Sequence, residues 1–364
     1  MAAARVALVH DYLTQRGGAE RLMLTLAKAF PGAPLYTSLY EPESTFPGFR
    51  ELDVRTTGLD RIALLRRRHR LALPLLAPAF SRLRVEADVA VCSSTGWAHG
   101  ARVTGRKIVY CNTPARWLYQ SERYIGERSV LNRIALFALR RPLLAWDRAA
   151  AASADRYVAS SRVVRDRIAE AYGIEAEIVP PAPSLTPDGP AAPVAGLEPG
   201  FFLCVSRLLP YKNVGAVATA VAGLPAERLV IVGAGPDESR LRRSAPQNVT
   251  LLGTVGDAEL RWLYASCAAV VAASHEDFGL TPLEAASFGR PAAALRWGGF
   301  LDTVQADETG VFFDEPTAGS IRAALIRLRE RPWDVDVLRS RAELFSEQRF
   351  IERIRRIVEE ELAR

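Results

Sequence analysis

Ser274-His-Glu-Asp-Phe-Gly-Leu-Thr-Pro-Leu-Glu-Ala-Ala-Ser-Phe-Gly-Arg-Pro291 is the stretch that decides the fold. The short apolar run at 268–273 just before it reads as a buried strand. Pro282 has the fixed φ and missing donor that suit the first turn of a helix. Between them lies a loop at the carboxyl end of a strand, the place where open α/β sheets bind ligands. Two carboxylates, Glu276 and Glu284, bracket that loop, and Gly279 lets the backbone approach whatever is bound. Amides at the start of the helix suit a phosphate or another anion. Thr281-Pro-Leu-Glu284 also fits a capping box, in which Thr281 bonds the amide of Glu284 and Glu284 reaches back. Glu284 therefore carries a structural reading beside the functional one, whereas Glu276 has no place in a cap.

Working outward, 364 residues exceed what one core usually supports, so two domains are expected. With 49% apolar and 24% charged residues the composition is that of a globular protein. Cys92, Cys111, Cys204 and Cys267 stand singly in apolar runs without metal-like spacing, which indicates reduced core thiols and a reducing compartment. The amino terminus lacks the pattern of a secretory signal, and no apolar run reaches the ~18 residues of a membrane span. The expected location is cytoplasmic, with a peripheral place on the inner face of the plasma membrane as an option. A net charge of +6 favours an anionic partner. Nucleic acid is not expected, because no aromatic-basic platform is present. Neither half has Gly-x-Gly-x-x-Gly after its first strand, which argues against a dehydrogenase.

Residues 5–9 form a first strand that ends at His10-Asp11 and passes through Gly17-Gly18 into a helical stretch at 19–30. Further strands are expected at 88–94, 107–114 and 155–161, with His99 after the first of these, Asn112 ending the second, and a helix at 128–152. Prolines at 180, 181, 183, 187, 190, 193 and 199 exclude helix and central strand and mark an extended linker. The second half repeats the rhythm with strands at 201–205, 229–232, 249–252, 269–273, 291–295 and 311–313, most of them separated by helical segments. That alternation predicts a parallel sheet covered on both faces. Arg207 and Lys212 follow its first strand, where a guanidinium and an ammonium can neutralise a diphosphate.

Residues 59–84 are basic and apolar together, with seven arginines. One reading lays an apolar face into a lipid interface while the guanidinium groups meet anionic head groups. The other makes two amphipathic helices, broken near Pro74 and Pro78, that pack on the sheet.

With Glu276, Phe278, Gly279, Pro282, Glu284, Ala285, Gly289 and Pro291 in place, the 274–291 stretch resembles the signature of the retaining, nucleotide-sugar-dependent glycosyltransferases of family 4. The resemblance implies the GT-B architecture, an α/β fold of two Rossmann-like, doubly wound domains facing a central cleft. Its parts would be an acceptor-binding domain at 1–183, a linker at 184–199, a nucleotide-sugar-binding domain at 200–345, and a helix at 346–364 packing back on the amino-terminal domain. It implies donor binding by Gly17, Gly18, Arg207, Lys212, Glu276, Phe278, Gly279, Leu280, Thr281 and Glu284. Glu276, Arg207 and Lys212 would carry the catalytic roles. Asn112 stands where many relatives have a histidine in Tyr-Cys-His-Thr-Pro, so His99 becomes the other candidate for help at that position. Serine at 206 replaces the family's usual glycine, and Asp302 takes the place of a glutamate after Gly298-Gly299.

In the chemistry so implied, the nucleoside diphosphate leaves, the sugar gains oxocarbenium character, and the acceptor hydroxyl attacks from the same face with retention of configuration. No metal or other cofactor is required, and Asp334-Val-Asp336 reads as a helix cap. The opening His-Asp-Tyr, Gly-Gly-Ala-Glu and Glu-Asp-Phe-Gly look like the bacterial mannosyltransferases of O-antigen and exopolysaccharide synthesis. They imply GDP-mannose as donor and a polyprenyl-diphosphate-linked glycan, or another hydroxyl compound, as acceptor. The alternatives are a UDP-sugar donor (glucose or N-acetylglucosamine) and a catalytically silent sugar-nucleotide-binding protein.

Overall fold

The computed structural model describes residues 4–119 and 130–364, so the first two residues of the helix expected at 128–152 lie outside the described part. The chain divides into two compact units. The first takes the chain up to Pro181 together with Glu347–Arg364, and the second is Ala182–Ser346.

The second unit holds a six-stranded parallel sheet made of β10 (Phe202–Val205), β11 (Leu229–Val232), β12 (Val249–Gly253), β13 (Ala269–Ala272), β14 (Ala292–Leu295) and β15 (Gly310–Phe313). Their spatial order is β12-β11-β10-β13-β14-β15, the doubly wound order of a dinucleotide-binding fold. Chain direction across the sheet reverses between β10 and β13, which pair through Phe202 with Ala269 and Leu203 with Val270. Successive side chains on a strand point to opposite faces. Accordingly Phe202 and Cys204 join the core under helices Val214–Ala222 and Ala318–Arg329, whereas Phe201 and Leu203 join the one under helix Asp257–Ser266. Each fully buried Phe or Leu contributes about 1.5–3 kcal/mol.

In the first unit β1 (Val6–His10), β2 (Leu35–Thr37), β3 (Val54–Thr56), β5 (Val89–Ser94), β7 (Arg106–Cys111), β8 (Arg156–Ala159) and β9 (Glu177–Ile178) form a seven-stranded parallel sheet in the order β3-β2-β1-β5-β7-β8-β9. A separate parallel pair is made by β4 (Arg84–Val85) and β6 (Arg102–Val103). All six residues of β5 are buried, as expected of a central strand covered on both faces. The short strands β2, β3 and β9 at the two ends of the sheet have no counterpart in the sequence reading.

Helix Glu347–Leu362 packs on the first unit. It buries Phe350, Ile354, Ile357 and Val358, and Glu347 accepts from Lys28 at 2.8 Å. Glu360 accepts from Arg156 at 2.6 Å, and Arg353 pairs with Glu177. The proline-rich residues 182–200 carry no helix or strand. They are laid along the second unit, because Leu185, Val194 and Leu197 sink into the cluster around Phe201 and Tyr264.

The 59–84 stretch is broken elsewhere than at its prolines. A short helix, Ala63–Arg67, ends at Arg68, and after one tight turn at His69–Ala72 a second helix runs over Leu73–Arg82. Pro74 lies in its first turn, where no amide is needed, and Pro78 is carried inside it.

Candidate functional site

The turns after β10 and β13 meet at the switch point of the second sheet, and charge is concentrated there. The β13 turn presents Glu276, whose Oε1 accepts from Ser274 Oγ at 2.8 Å. The β10 turn closes with a single 3₁₀ turn, Pro210–Lys212, and Lys212, only 8% exposed, pairs through Nζ with the same Glu276 oxygen. Asn213 holds the two turns in register. Its backbone is left-handed at φ 56°, a conformation asparagine tolerates better than most residues, and its Nδ2 donates to Ala273 O at 2.9 Å. The sequence reading passed over Asn213, and a lone Asn after Lys carries little signal for such a latch.

Two glycines set the path of the 276–279 loop. Gly279 sits at φ +83°, and a Cβ there would lie 2.4 Å from the Phe300 ring. A Cβ on Gly299 would lie 2.1 Å from Phe278 Cα, while the Gly299 amide donates to Glu276 O at 3.0 Å. Phe278 itself is buried against Phe345, so at this loop it offers backbone rather than ring. Leu280 and Thr281 are half-buried.

Glu284 does not close a capping box. Helix Thr281–Ser287 begins after Leu280 without a side-chain cap, which makes Thr281 a helical residue and not the cap. Glu284 instead turns inward and is 7% exposed. Tyr264 donates to its Oε2 at 2.7 Å, and Ser184 Oγ donates to its Oε1 at 2.7 Å. Burial and the neighbouring carboxylate push the Tyr264 hydroxyl well above the ordinary tyrosine range, so it stays protonated as a donor. A carboxylate has about four acceptor positions, so capacity for further donors remains. Arg207 is exposed, and among the described residues no ion pair is recorded for it.

The residues expected to act from the first unit are arranged differently. Gly17 caps helix Gly18–Ala29 with extended backbone, and a Cβ there would lie 2.6 Å from Glu20 Oε2, at the movable end of that side chain. Gly18 is exposed beside it. Asn112 Nδ2 donates to Ser93 Oγ at 3.0 Å, tying β7 to β5. His99 is turned inward: Nδ1 lies 2.9 Å from Ser94 Oγ, and Nε2 lies 3.1 Å from Asp147 Oδ1, a carboxylate that also accepts from Tyr119. Ser94 Oγ in turn accepts from the amides of Gly96 and Trp97. His99 is thus buried between Ser94, the last residue of β5 to which Asn112 also bonds, and Asp147, and its Nε2 and Asp147 Oδ1 make no hydrogen bond among the described residues.

A pair that the sequence reading did not join is His10, at the end of the first strand, and Glu20, in the helix after Gly17-Gly18. Neither ring nitrogen of His10 has a hydrogen-bond partner among the described residues, nor has Glu20 Oε2. His10 Nε2 stands 4.0 Å from Glu20 Oε1. Buried polar atoms left without partners are costly and uncommon, which marks the pair for attention.

Residues 191–345 match the family described as Glycosyl transferases group 1. The chain carries a glycosyltransferase group 1 domain. That domain contains the whole Lys212, Glu276 and Glu284 constellation except its Ser184 support. Over 161 residues the chain is 32% identical to the O-antigen chain mannosyltransferase C of Escherichia coli, covering 42% of either protein. Over 127 residues it is 36% identical to a GDP-mannose-dependent alpha-mannosyltransferase of Mycobacterium tuberculosis, covering 35% of this chain and 31% of that one. The matches thus span less than half the length of these relatives. Among solved structures, the sucrose-phosphate synthase of Thermosynechococcus elongatus superposes with a TM-score of 0.72 over 99% of both chains at 18% identity. The fold is GT-B, with one doubly wound parallel sheet in each unit.

Among the described residues, no cluster of three His, Cys, Asp or Glu side chains stands where it could hold a metal ion, and no helix is long and apolar enough to cross a membrane. Asp334 is the cap of helix Val335–Glu343, accepting from the Asp336 amide at 2.8 Å. The four cysteines are buried, and burial pushes the thiols of Cys92, Cys204 and Cys267 up to about 12.

Proposed function

We propose that the protein is a retaining hexosyltransferase that moves mannose from GDP-mannose to a hydroxyl of a lipid-linked glycan in cell-surface polysaccharide synthesis. The observation that carries this reading is the Lys212–Glu276 ion pair at the switch point of a sheet with dinucleotide-binding order, with the buried Glu284 on the helix that follows the Glu276 turn. A diphosphate brought there draws Lys212 away from Glu276, and the exposed Arg207 adds a bidentate donor on the same turn. Glu276, released from its cation, accepts hydroxyl groups of the sugar. Glu284, held by Tyr264 and Ser184, offers its spare acceptor positions to the ribose diol. Preorganised charge at the departing diphosphate is the kind of interaction worth about 2.7–4 kcal/mol of barrier per group. With the leaving group stabilised and no second nucleophile in view, the acceptor enters on the face that the diphosphate vacates. Two mannosyltransferases among the relatives support the choice of donor. In the first unit, the His10 ring and Glu20 Oε2, which have no hydrogen-bond partner among the described residues, are suited to hydrogen-bond an acceptor hydroxyl, while Glu20 Oε1 accepts from Gln15.

Metal independence is part of the proposal, since Lys212 and Arg207 supply the positive charge at the diphosphate. Peripheral attachment is another part. Ile62, Leu64, Leu71 and Leu75 are exposed together with Arg61, Arg67 and Arg68, and each arginine near an anionic surface is worth on the order of 1 kcal/mol.

A panel of sugar nucleotides screened by thermal shift, followed by turnover and NMR assignment of the anomeric configuration, tests the activity. Stabilisation by GDP-mannose and transfer with retention are expected, undiminished in EDTA. Selective stabilisation by UDP-glucose or UDP-N-acetylglucosamine would replace the donor. Binding without transfer or donor hydrolysis would make the protein a sensor. Sedimentation with liposomes tests attachment, and binding indifferent to lipid charge would count against it.

A further inference from the structure

A groove of about 470 Å³ lies on the first unit between helices Leu73–Arg82 and Val130–Ala152. Its floor and walls are Ala77, Pro78, Leu139, Pro142, Leu143 and Trp146. The indole N–H of Trp146 is already satisfied by Ser81 Oγ at 2.8 Å, so the ring offers the groove only its apolar surface. Leu139, at 42% exposure, stands open at the rim. The volume falls within the range of small-molecule sites, about 300–1,000 Å³.

One side of the groove is strongly basic. Arg82 and Arg102 line it, and the parallel pairing of β4 with β6 sets Arg84 directly beside Arg102. Like charges placed side by side on a sheet destabilise it unless an anion lies between them. All three guanidinium groups are exposed, and among the described residues no ion pair is recorded for any of them. An apolar trench ending in three unpaired arginines fits a ligand with a long hydrocarbon chain and an anionic end, and arginine forks match phosphate oxygens bidentately.

We infer that this groove binds the hydrocarbon chain of a polyisoprenyl phosphate, with Arg82, Arg84 and Arg102 holding the phosphate. A single trench takes one chain rather than the two of a diacyl phospholipid. The inference rests on the proposed lipid-linked acceptor and names the part of that acceptor the first unit grips. Leu71 and Leu75 are exposed on the turn before and the start of the same helix whose Ala77 and Pro78 line the groove.

Trp146 provides the test, because a chain in the groove changes its emission. A long-chain polyisoprenyl monophosphate in dilute detergent is titrated against the full chain, with isopentenyl phosphate, inorganic phosphate and phosphatidylglycerol vesicles as separate arms. Saturable change is expected with the long chain alone. Trp146→Phe should remove the optical signal while binding persists by calorimetry. Leu139→Glu at the open rim and the double variant Arg84→Gln/Arg102→Gln should each weaken binding at least tenfold with unchanged melting temperature. Equal response to phosphatidylglycerol would make the patch a general anionic surface, and equal response to isopentenyl phosphate would remove the chain; either overturns the inference. GDP-mannose is titrated on the same samples. Donor binding without lipid binding refutes the groove alone, whereas loss of both refutes the proposed function with it.

Discussion

Replacing Glu276 by Gln separates the two jobs assigned to the Lys212–Glu276 pair. In the absence of donor the two charges neutralise one another, with side-chain exposures of 9% for Lys212 and 26% for Glu276. Exposed ion pairs are worth about 0.2–1 kcal/mol, and breaking a fully buried one costs about 3–5 kcal/mol. This intermediate pair should therefore be worth about 2 kcal/mol. If a diphosphate must break it to reach Lys212, glutamine at 276 removes that competition. GDP without its sugar should then bind up to about 30-fold more tightly, since 1.4 kcal/mol is a factor of ten. Turnover should move the other way, because the amide no longer presents a charged acceptor to the sugar hydroxyls as positive charge develops, and kcat should fall by about 10²–10³. Calorimetry with GDP and with UDP, alongside steady-state transfer, measures both. Tighter nucleotide and slower transfer together support the assignment. Unchanged GDP affinity with unchanged kcat would refute it, since the pair would then be a surface ornament of the β10 and β13 turns.

Tyr264→Phe removes a 2.7 Å bond to a buried carboxylate, and hydrogen bonds to charged groups are worth about 1.5–3 kcal/mol, so donor KM should rise and the melting temperature fall, both readable in one thermal-shift titration. Gly279→Ala forces a side chain into left-handed backbone against the Phe300 ring, and denaturant unfolding should show a loss of about 1–3 kcal/mol together with weakened donor binding. Asn213→Ala unlatches the two turns, and a rise in amide exchange at 210–213 and 273–279 should accompany it. The last expectation concerns pH. The Arg156 guanidinium, by hydrogen bond, holds Glu360 below the usual glutamate range. Its contribution is present above the unfolded glutamate pKa and lost as pH falls through the lowered one, so hydrogen exchange in helix Glu347–Leu362 should quicken on acidification, and an exchange rate flat through that window would contradict the pairing.

The second sheet was legible because most of its strands are uninterrupted apolar runs followed by turn residues, Thr250 in β12 being an exception, and β10 to β15 fall within a residue or two of where those runs stand. The short strands β2 and β3 were not, since Leu35–Thr37 and Val54–Thr56 are too short for any alternation to show. Local pattern misled at Glu284. Thr281 and Glu284 have capping-box spacing, but Tyr264 and Ser184 bind the carboxylate from distant parts of the sequence, and no local rule sees them. His99 shows the same limit, because the partner that draws it inward, Asp147, lies on another helix. Arg207 and Lys212 could be found as basic residues after a strand, yet their different fates, one exposed and one buried in a pair, come from the tight turn at Pro210–Lys212.

Because helix Glu347–Leu362 completes the unit that β1 begins, that unit is not a continuous length of polypeptide, and the backbone passes from one body to the other twice. During synthesis the first body must wait with the face that will receive Phe350, Ile354 and Ile357 uncovered until everything from Ala182 to Ser346 has been translated. A stop codon near position 346 would thus spare Lys212, Glu276 and Glu284 and still cripple the first unit, an outcome that inspection of the missing segment alone would not foretell.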